Sequence, residues 1–521
     1  MKKLLTKIIC LTLMLIVSTQ SIIFAGAGTM GFFGGISEGL RMPTVTARLL
    51  NPALNGRRNI AGTYAYSEMV FVSGIPSRFD GQITVTQGGA VTDDDEFGSF
   101  TLTNTVAANA TTGETTIART IVYTVTWRRQ NNQVIKNYNA TAWTESITTP
   151  EGTFTLDPDQ SFFVISILED HNPGVMFYRG NISKRAVYII EEEDDDDEEN
   201  GNGSNQIIVE ASGIIYGFDS PYSSTETQSL DVWVMAPTWQ MSYQIRPSVS
   251  VTTSLIYQTT MPTAISFAGN YTHLMENQSV AAYDIFIAPQ PFHHIPTNGS
   301  INIPTHSTFE QLISPDLTFL RGHFAEQDIS RLFAQGILTG PTAHFQPNQA
   351  MTRGEFIVAL SRALRLDTSQ IQPMPAGIFN RTTRIVFPDV LNERPEYVYI
   401  MAAYRSGLAY GRADGNFHVD SPITREEAVV TLIRGLGLEN VVPNPHPITV
   451  LADSMQVSSW ATREIGAAIE LGLISGDVNG NFRPRDLITK AEAAALINRF
   501  IDYMREDLVR DYSERMVNFV W

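Results

Sequence analysis

The sequence predicts a multidomain chain of two unlike halves: an all-β, sandwich-like N-terminal region and an all-α C-terminal bundle built from three repeated units. Three observations carry that prediction. From about Ala61 to Ala288, β-branched and aromatic runs are punctuated by Gly, Asn and Pro. In the last 200 or so residues apolar positions recur at helical spacing instead. One phrase also appears there three times: a Gly-x-x-x-Gly turn, a Phe, then Thr, a basic residue, any residue and Glu.

The first 27 residues read as a secretory signal peptide. Lys2, Lys3 and Lys7 form a basic start, Ile8 to Ile23 is nearly all apolar, and Ala25 and Ala27 offer small residues for cleavage. Ser18, Thr19 and Gln20 interrupt the apolar run, which argues against a spanning helix. The sole cysteine, Cys10, lies inside this segment, so the mature chain is expected to have no thiol, disulfide or cysteine metal site.

A length of 521 residues implies two or three domains. The net charge of -18 argues against a nucleic-acid partner, because phosphate backbones need a basic face. Much of that charge is contiguous, from Glu191 to Glu199, and is followed by Asn200-Gly201-Asn202-Gly203-Ser204. Such a run repels itself and reads as a solvated loop, splitting residues 28–288 into two β modules at 191–205. It does not specify calcium, which needs carboxylates at turn-imposed spacing. The strand runs include Thr120 to Trp127, Phe162 to Ile167 and Leu230 to Val234.

Residues 289–305 carry the proline spacing of an extended linker. His293-His294 inside it lacks a third ligand nearby, so neither a metal nor a cofactor is expected.

The repeats follow as 306–366, 385–438 and 449–505, with a helical tail at 506–521. The tail's end, Phe519-Val520-Trp521, resembles the end of an outer-membrane barrel, but the strands upstream lack the regular series a barrel needs. Each repeat reads as two helices. Phe324, Ile329, Leu332 and Phe333 make the apolar stripe of a first helix ending near Gly336, and Trp460, Ile465, Ala468 and Ile469 do the same before Gly472. Each second helix opens on a capping box, Thr352 with Glu355, Thr424 with Glu427 and Thr489 with Glu492. Its apolar face cannot be buried alone, so the three units are expected to share one bundle.

Between cap and box stand Arg353, Arg425 and Lys490, each at the first helical position. A cation there opposes the helix dipole at a cost of a few tenths to about 1 kcal/mol. Two explanations stay open. Either an anion binds where helix amides and the cation converge, or the cation pairs with a neighbouring carboxylate such as Glu426 or one of the adjacent unit.

These residues resemble the S-layer homology domain over about Asp316 to Tyr503. The likeness rests on His323-Phe324-Ala325, Trp460-Ala461, Asp414-Gly415-Asn416-Phe417, Met351 to Glu355, Ile423 to Glu427 and Ile488 to Glu492. The resemblance implies a pseudo-threefold bundle whose grooves bind secondary cell-wall polysaccharide, often pyruvylated, on a cell surface. It implies that Arg353, Arg425 and Lys490 meet the carboxylate and that Trp460 and Phe324 line the sugar. Gly340, Gly411 and Gly476 would then allow close backbone approach, with Asp389 and Asp453 as the early acids of units two and three, either sugar contacts or helix caps. Phe324 stands where the family usually has Trp, Pro395 lies near that position in unit two, and Lys490 replaces Arg, so unequal grooves are expected.

The whole then reads as a secreted surface protein held non-covalently to the wall, displaying its β region as a structural or adhesive module and able to self-associate in a surface layer. The alternative is an anchored hydrolase of polysaccharide or peptidoglycan. Asp157, Asp159, Glu169 and Asp170 could supply its two carboxylates, but no catalytic motif accompanies them, and a non-enzyme is expected.

Overall fold

The computed structural model describes residues 34–37, 62–88, 96–106, 115–191, 205–258, 270–289, 295–303, 307–368, 371, 386–439 and 448–512. The segment read as a signal peptide, residues 192–204 with most of the acidic run, His293-His294 and the chain end lie outside these residues.

The N-terminal half is all β. Its strands are β1 (Ile36–Ser37), β2 (Gly62–Val70), β3 (Ser77–Gly88), β4 (Phe97–Val106), β5 (Thr116–Gln130), β6 (Gln133–Thr149), β7 (Gly152–Leu156), β8 (Phe162–His171), β9 (Met176–Glu191), β10 (Gln206–Asp219), β11 (Ser223–Met235), β12 (Gln240–Gln258), β13 (Asn270–Ile287), β14 (Asn298–Ile303) and β15 (Ser307–Ile313). Period-two alternation is plain in β8, where Phe163, Ile165 and Ile167 are buried while Phe162, Val164 and Leu168 face outward.

Two separate sheets, as a sandwich requires, do not occur among the described residues. All fifteen strands belong to one hydrogen-bonded sheet, in which β7 and β8 share the space between β6 and β9. Strands of up to 19 residues accumulate twist, and a sheet this wide curls on itself instead of staying open. Residues from early and late strands therefore share cores. Phe71 stacks on Tyr243 at 3.9 Å and meets Tyr283 edge-on at 5.2 Å, and Ile36 packs with Val249, Met275 and Ile301.

Two further boundaries differ from those expected. β9 and β10 pair directly from Met176↔Asp219 to Ile189↔Gln206, so the acidic run joins two neighbouring strands of one sheet and does not separate modules. Within residues 289–305, taken as a linker, β14 pairs with β13, and β15 extends the same edge past residue 306. The proline spacing there breaks strands without freeing the chain from the sheet.

The interior of this half holds buried ion pairs. Arg119 reaches Glu68 at 2.7 Å and Glu145 at 2.6 Å, and Trp143 Nε1 donates to Glu145. Lys136 pairs with Glu169, which His171 also meets at 2.8 Å. Burial alone would raise the Glu169 pKa, but the Lys136 ammonium and the His171 hydrogen bond outweigh it and hold the carboxyl at about 2, below its ordinary 4.5. A carboxylate depressed in the folded state stabilises fully above its unfolded pKa, and that contribution is lost as pH falls through the folded one. Unfolding free energy should therefore drop by about 3 kcal/mol between pH 4.5 and 2 through this group. Urea titration of the parent chain and of Glu169→Gln across that range checks it, and parallel pH curves for the two would refute it.

The C-terminal half is helical: α1 (Glu326–Ala334), α2 (Arg353–Ala363), α3 (Tyr397–Arg405), α4 (Arg425–Leu436), α5 (Thr462–Glu470) and α6 (Lys490–Asp502). A π-helical stretch, Tyr503–Asp507, and a short helix, Leu508–Asp511, continue α6. Leu332, Leu360, Leu432, Ile465 and Ile497 lie in one core with Phe356, Phe417 and Phe482. No described helix is long and apolar enough to cross a membrane.

Val175, Phe218 and Tyr222 of the β half lie in that same core. Tyr222 Oη donates to Ala363 O at 2.8 Å, Gly174 N to Gly435 O at 2.7 Å, and Tyr512 Oη to Tyr178 O at 3.0 Å. Ser223 Oγ bonds Met504 O. A Cβ on Gly174 would lie 2.9 Å from the Gly435 carbonyl oxygen, so glycine favours this approach. Every one of these helical contacts falls at or beyond the C-terminal end of α2, α4 or α6.

Candidate functional site

The N-terminal ends of α2, α4 and α6 converge at the other end of the bundle. Thr352, Thr424 and Thr489 each accept from the N–H of the Glu three residues on, and each Glu side chain returns to the Thr N–H, completing the three capping boxes expected from sequence. The residues just before the caps form a closed ring of hydrogen bonds. Met351 N donates to Ile488 O at 2.9 Å, Ile488 N to Ile423 O at 3.1 Å, and Ile423 N to Met351 O at 3.0 Å.

The next backbone N–H groups are also spent across unit boundaries, Arg353 N on Ser421 O, Arg425 N on Asp486 O and Lys490 N on Gln349 O. The first-turn amides are therefore occupied, and an anion here must be held by side chains.

The three bases follow the same rotation. Arg425 Nη1 meets Glu492 at 3.0 Å, Lys490 Nζ meets Glu355 at 2.6 Å, and Arg353 Nη1 lies 3.8 Å from Glu427. Each base thus faces the capping Glu of the next unit. The neighbouring-carboxylate explanation holds, but Glu426 is not the partner; it accepts from Ser458 N at 3.0 Å and Ser458 Oγ at 2.7 Å. The guanidinium groups of Arg353 and Arg425 also lie over the Phe417 and Phe482 rings, at 4.9 and 5.4 Å.

Trp460 is 51% exposed and Phe324 71%, so both rings are presented to solvent at the entry to α5 and α1. Ser458, held by the residue after Arg425, places Trp460 at the junction of units two and three. Phe324 stacks on His323 at 4.7 Å.

Asp389 and Asp453 do other work than capping. Asp389 accepts from Phe417 N and His418 N at 2.8 and 2.6 Å, and Asp453 from Phe482 N and Arg483 N at the same distances. His418 and Arg483 have φ of 61° and 56°, so each carboxylate secures a left-handed loop residue. Leu317 stands ahead of the corresponding turn in unit one, while Asp316 bonds only Thr318 N at 3.2 Å among the described residues.

The glycines divide. Gly340 has φ +109° and open space around it. A Cβ on Gly411 would sit 2.7 Å from Phe387, and one on Gly476 2.5 Å from the Gly480 backbone, so these two close their own loops.

Three residues escaped the sequence analysis. Arg412 Nη2 donates to Glu427 at 2.9 Å, Tyr410 O accepts from Arg353 Nη2 at 2.7 Å, and the Arg434 guanidinium lies 5.8 Å from the half-exposed Tyr410 ring. Aligning the three Gly-x-x-x-Gly turns would have singled out the first two: Tyr410 replaces Thr339 and Ser475, and Arg412 replaces Pro341 and Asp477. Of the four carboxylates considered for hydrolysis, Glu169 is sealed in its ion pair, and Asp157 accepts from Asp159 N and Gln160 within a turn.

The family model of the S-layer homology domain matches residues 320–357, 386–429 and 453–494, one match per unit. Among curated proteins, the chain is 29% identical over 175 residues to an endoglucanase of Bacillus sp. (strain KSM-635), covering 33% of this chain and 17% of that one. It is 29% identical over 212 residues to an amylopullulanase of Thermoanaerobacterium thermosulfurigenes, covering 39% and 10%. It is 26% identical over 178 residues to the S-layer protein EA1 of Bacillus anthracis, covering 34% and 19%. The chain spans less than a fifth of the length of these relatives. Residues 320–494 of this chain are three tandem S-layer homology domains.

Proposed function

We propose that the chain anchors a secreted surface protein non-covalently to the bacterial cell wall, by holding a secondary cell-wall polysaccharide, pyruvylated and so acidic, in grooves between three units arranged about a pseudo-threefold axis. The observation that carries this reading is the cyclic repetition of one constellation: a ring-closing backbone bond, a base and the next unit's glutamate. The ion pair each base makes with the next unit's glutamate is partly open to solvent and so offsets little beyond the cost of a cation at the helix start, which leaves room for a ligand role. Each base lies where a ligand carboxylate can displace or join the glutamate, and arginine offers two parallel bonds for it. Trp460 and Phe324 give sugar faces an aromatic platform.

The curled β sheet is then the displayed module, structural or adhesive and able to meet further copies in a surface layer. The ion pairs of Arg119 and Lys136 are sealed from solvent and so out of a substrate's reach, which supports a scaffold over a hydrolase.

The full chain should co-sediment with purified cell-wall sacculi and lose that ability once the polysaccharide is stripped. Arg353→Ala with Arg425→Ala should weaken retention about tenfold or more in a chain that still melts cooperatively, since charged hydrogen bonds are worth roughly 1.5–3 kcal/mol. Retention that survives stripping, or a double variant that binds as the parent does, would overturn the assignment.

A further inference from the structure

The three junctions share a plan but differ in charge. At the junction of units one and two, Arg353 and Arg412 both reach Glu427, at 3.8 and 2.9 Å, and the Arg434 guanidinium stands over the Tyr410 ring at 5.8 Å. Two guanidinium groups share one carboxylate, and the Arg434 charge lies within electrostatic reach of Arg353. Arg434 makes no ion pair among the described residues, and the buried Nε of Arg353 has no hydrogen-bond partner there. Burial, and after it the like charges of Arg412 and Arg434 against the pull of Glu427, hold the Arg353 guanidinium below its ordinary value. An added anion would relieve that repulsion.

The second junction is balanced. Arg425 is met by Glu492, and Asp477, at the place of Arg412, takes Arg483 at 3.5 Å. Arg499, at the place of Arg434, lies within electrostatic reach of Asp328. In the third, Lys490 is paired with Glu355, Pro341 stands at the place of Arg412, and Arg362 bonds Thr339 and covers the Tyr399 ring. The excess of cations is therefore two, none and one around the ring. Exposed aromatics add to the contrast: Tyr410 belongs to the first junction and Trp460 to the second.

We infer that the junction of units one and two is the primary acid-reading groove of this chain, in which Arg412 and Arg434 join Arg353 to hold a saccharide segment bearing two negative charges. The second junction, with balanced charge and Trp460, contributes sugar stacking instead. This rests on the wall-binding reading and deepens it. Arg412 and Arg434 make the groove selective for charge, because the two cations left unbalanced by Glu427 match a pair of acid groups on adjacent sugars.

The test uses the full chain and a synthetic disaccharide carrying one pyruvate ketal and one uronate, beside its uncharged analogue. Arg412→Asp should cost about tenfold or more in calorimetric affinity for the diacid, flatten its salt dependence and leave retention of the uncharged analogue unchanged. Asp477→Arg, which gives the second junction the charge of the first, should add a second diacid site. Arg412 is exposed, so thermal melts will confirm that both variants fold. Equal losses from Arg412→Asp and Lys490→Gln, or no loss from Arg412→Asp, would overturn the unequal-groove inference while leaving wall binding intact. A parent chain that binds neither sacculi nor the diacid overturns both.

Discussion

Lys136→Met is expected to remove about 3–5 kcal/mol of stability, because it leaves the Glu169 charge buried with only His171 beside it. Lys136 on β6 and Glu169 on β8 are diagonal cross-strand neighbours, since Lys136 pairs with Ile167 and Val134 with Glu169. Both side chains are sealed from solvent, so water cannot replace the lost partner. The thermal midpoint should fall by roughly 10 °C. Adding Glu169→Leu should restore most of it, since an apolar pair of similar volume often equals a buried ion pair. An unshifted midpoint in the single variant would show that the pair carries little.

Tyr222→Ala should have a comparable effect through a different route. The guanidinium groups of Arg365, at 5.5 Å, and Arg505, at 5.0 Å, both lie over the ring, and its hydroxyl bonds Ala363 at the end of α2. Truncating a buried aromatic costs about 3–5 kcal/mol, and here the loss falls on the seam between sheet and helices. Calorimetry should show one transition for the parent chain and two for the variant, the halves melting separately. One transition at the parental midpoint would mean that the shared core does not couple them.

The helical half was legible because its signals are local. A capping box spans four residues, and the three written at Thr352, Thr424 and Thr489 all form. What sequence left open was the partner of each base, because Glu427, Glu492 and Glu355 lie 67 to 135 residues away along the chain. The roles of Asp389 and Asp453 were hidden likewise, since the N–H groups they accept from sit 28 to 30 residues on. In the β half the strands were readable from alternation. Whether they make one sheet or two depends on pairing, and the acidic run between β9 and β10 looked like a boundary although the strands flanking it are neighbours. Strand-breaking prolines near β14 misled in the same way.

The two ends of the second helices carry different partners: bases and glutamates at Arg353, Arg425 and Lys490, and the sheet at Ala363, Gly435 and Met504. With a rise of about 1.5 Å per residue, α2 separates them by roughly 16 Å. Under the proposed wall tether, tension between polymer and sheet would thus run lengthwise through three helices in parallel. Because the ring of Met351, Ile423 and Ile488 links every unit to both others, no single helix can be drawn out without breaking two of its bonds. The anchor should behave as a three-legged mount under shear, yielding abruptly at one force instead of unit by unit.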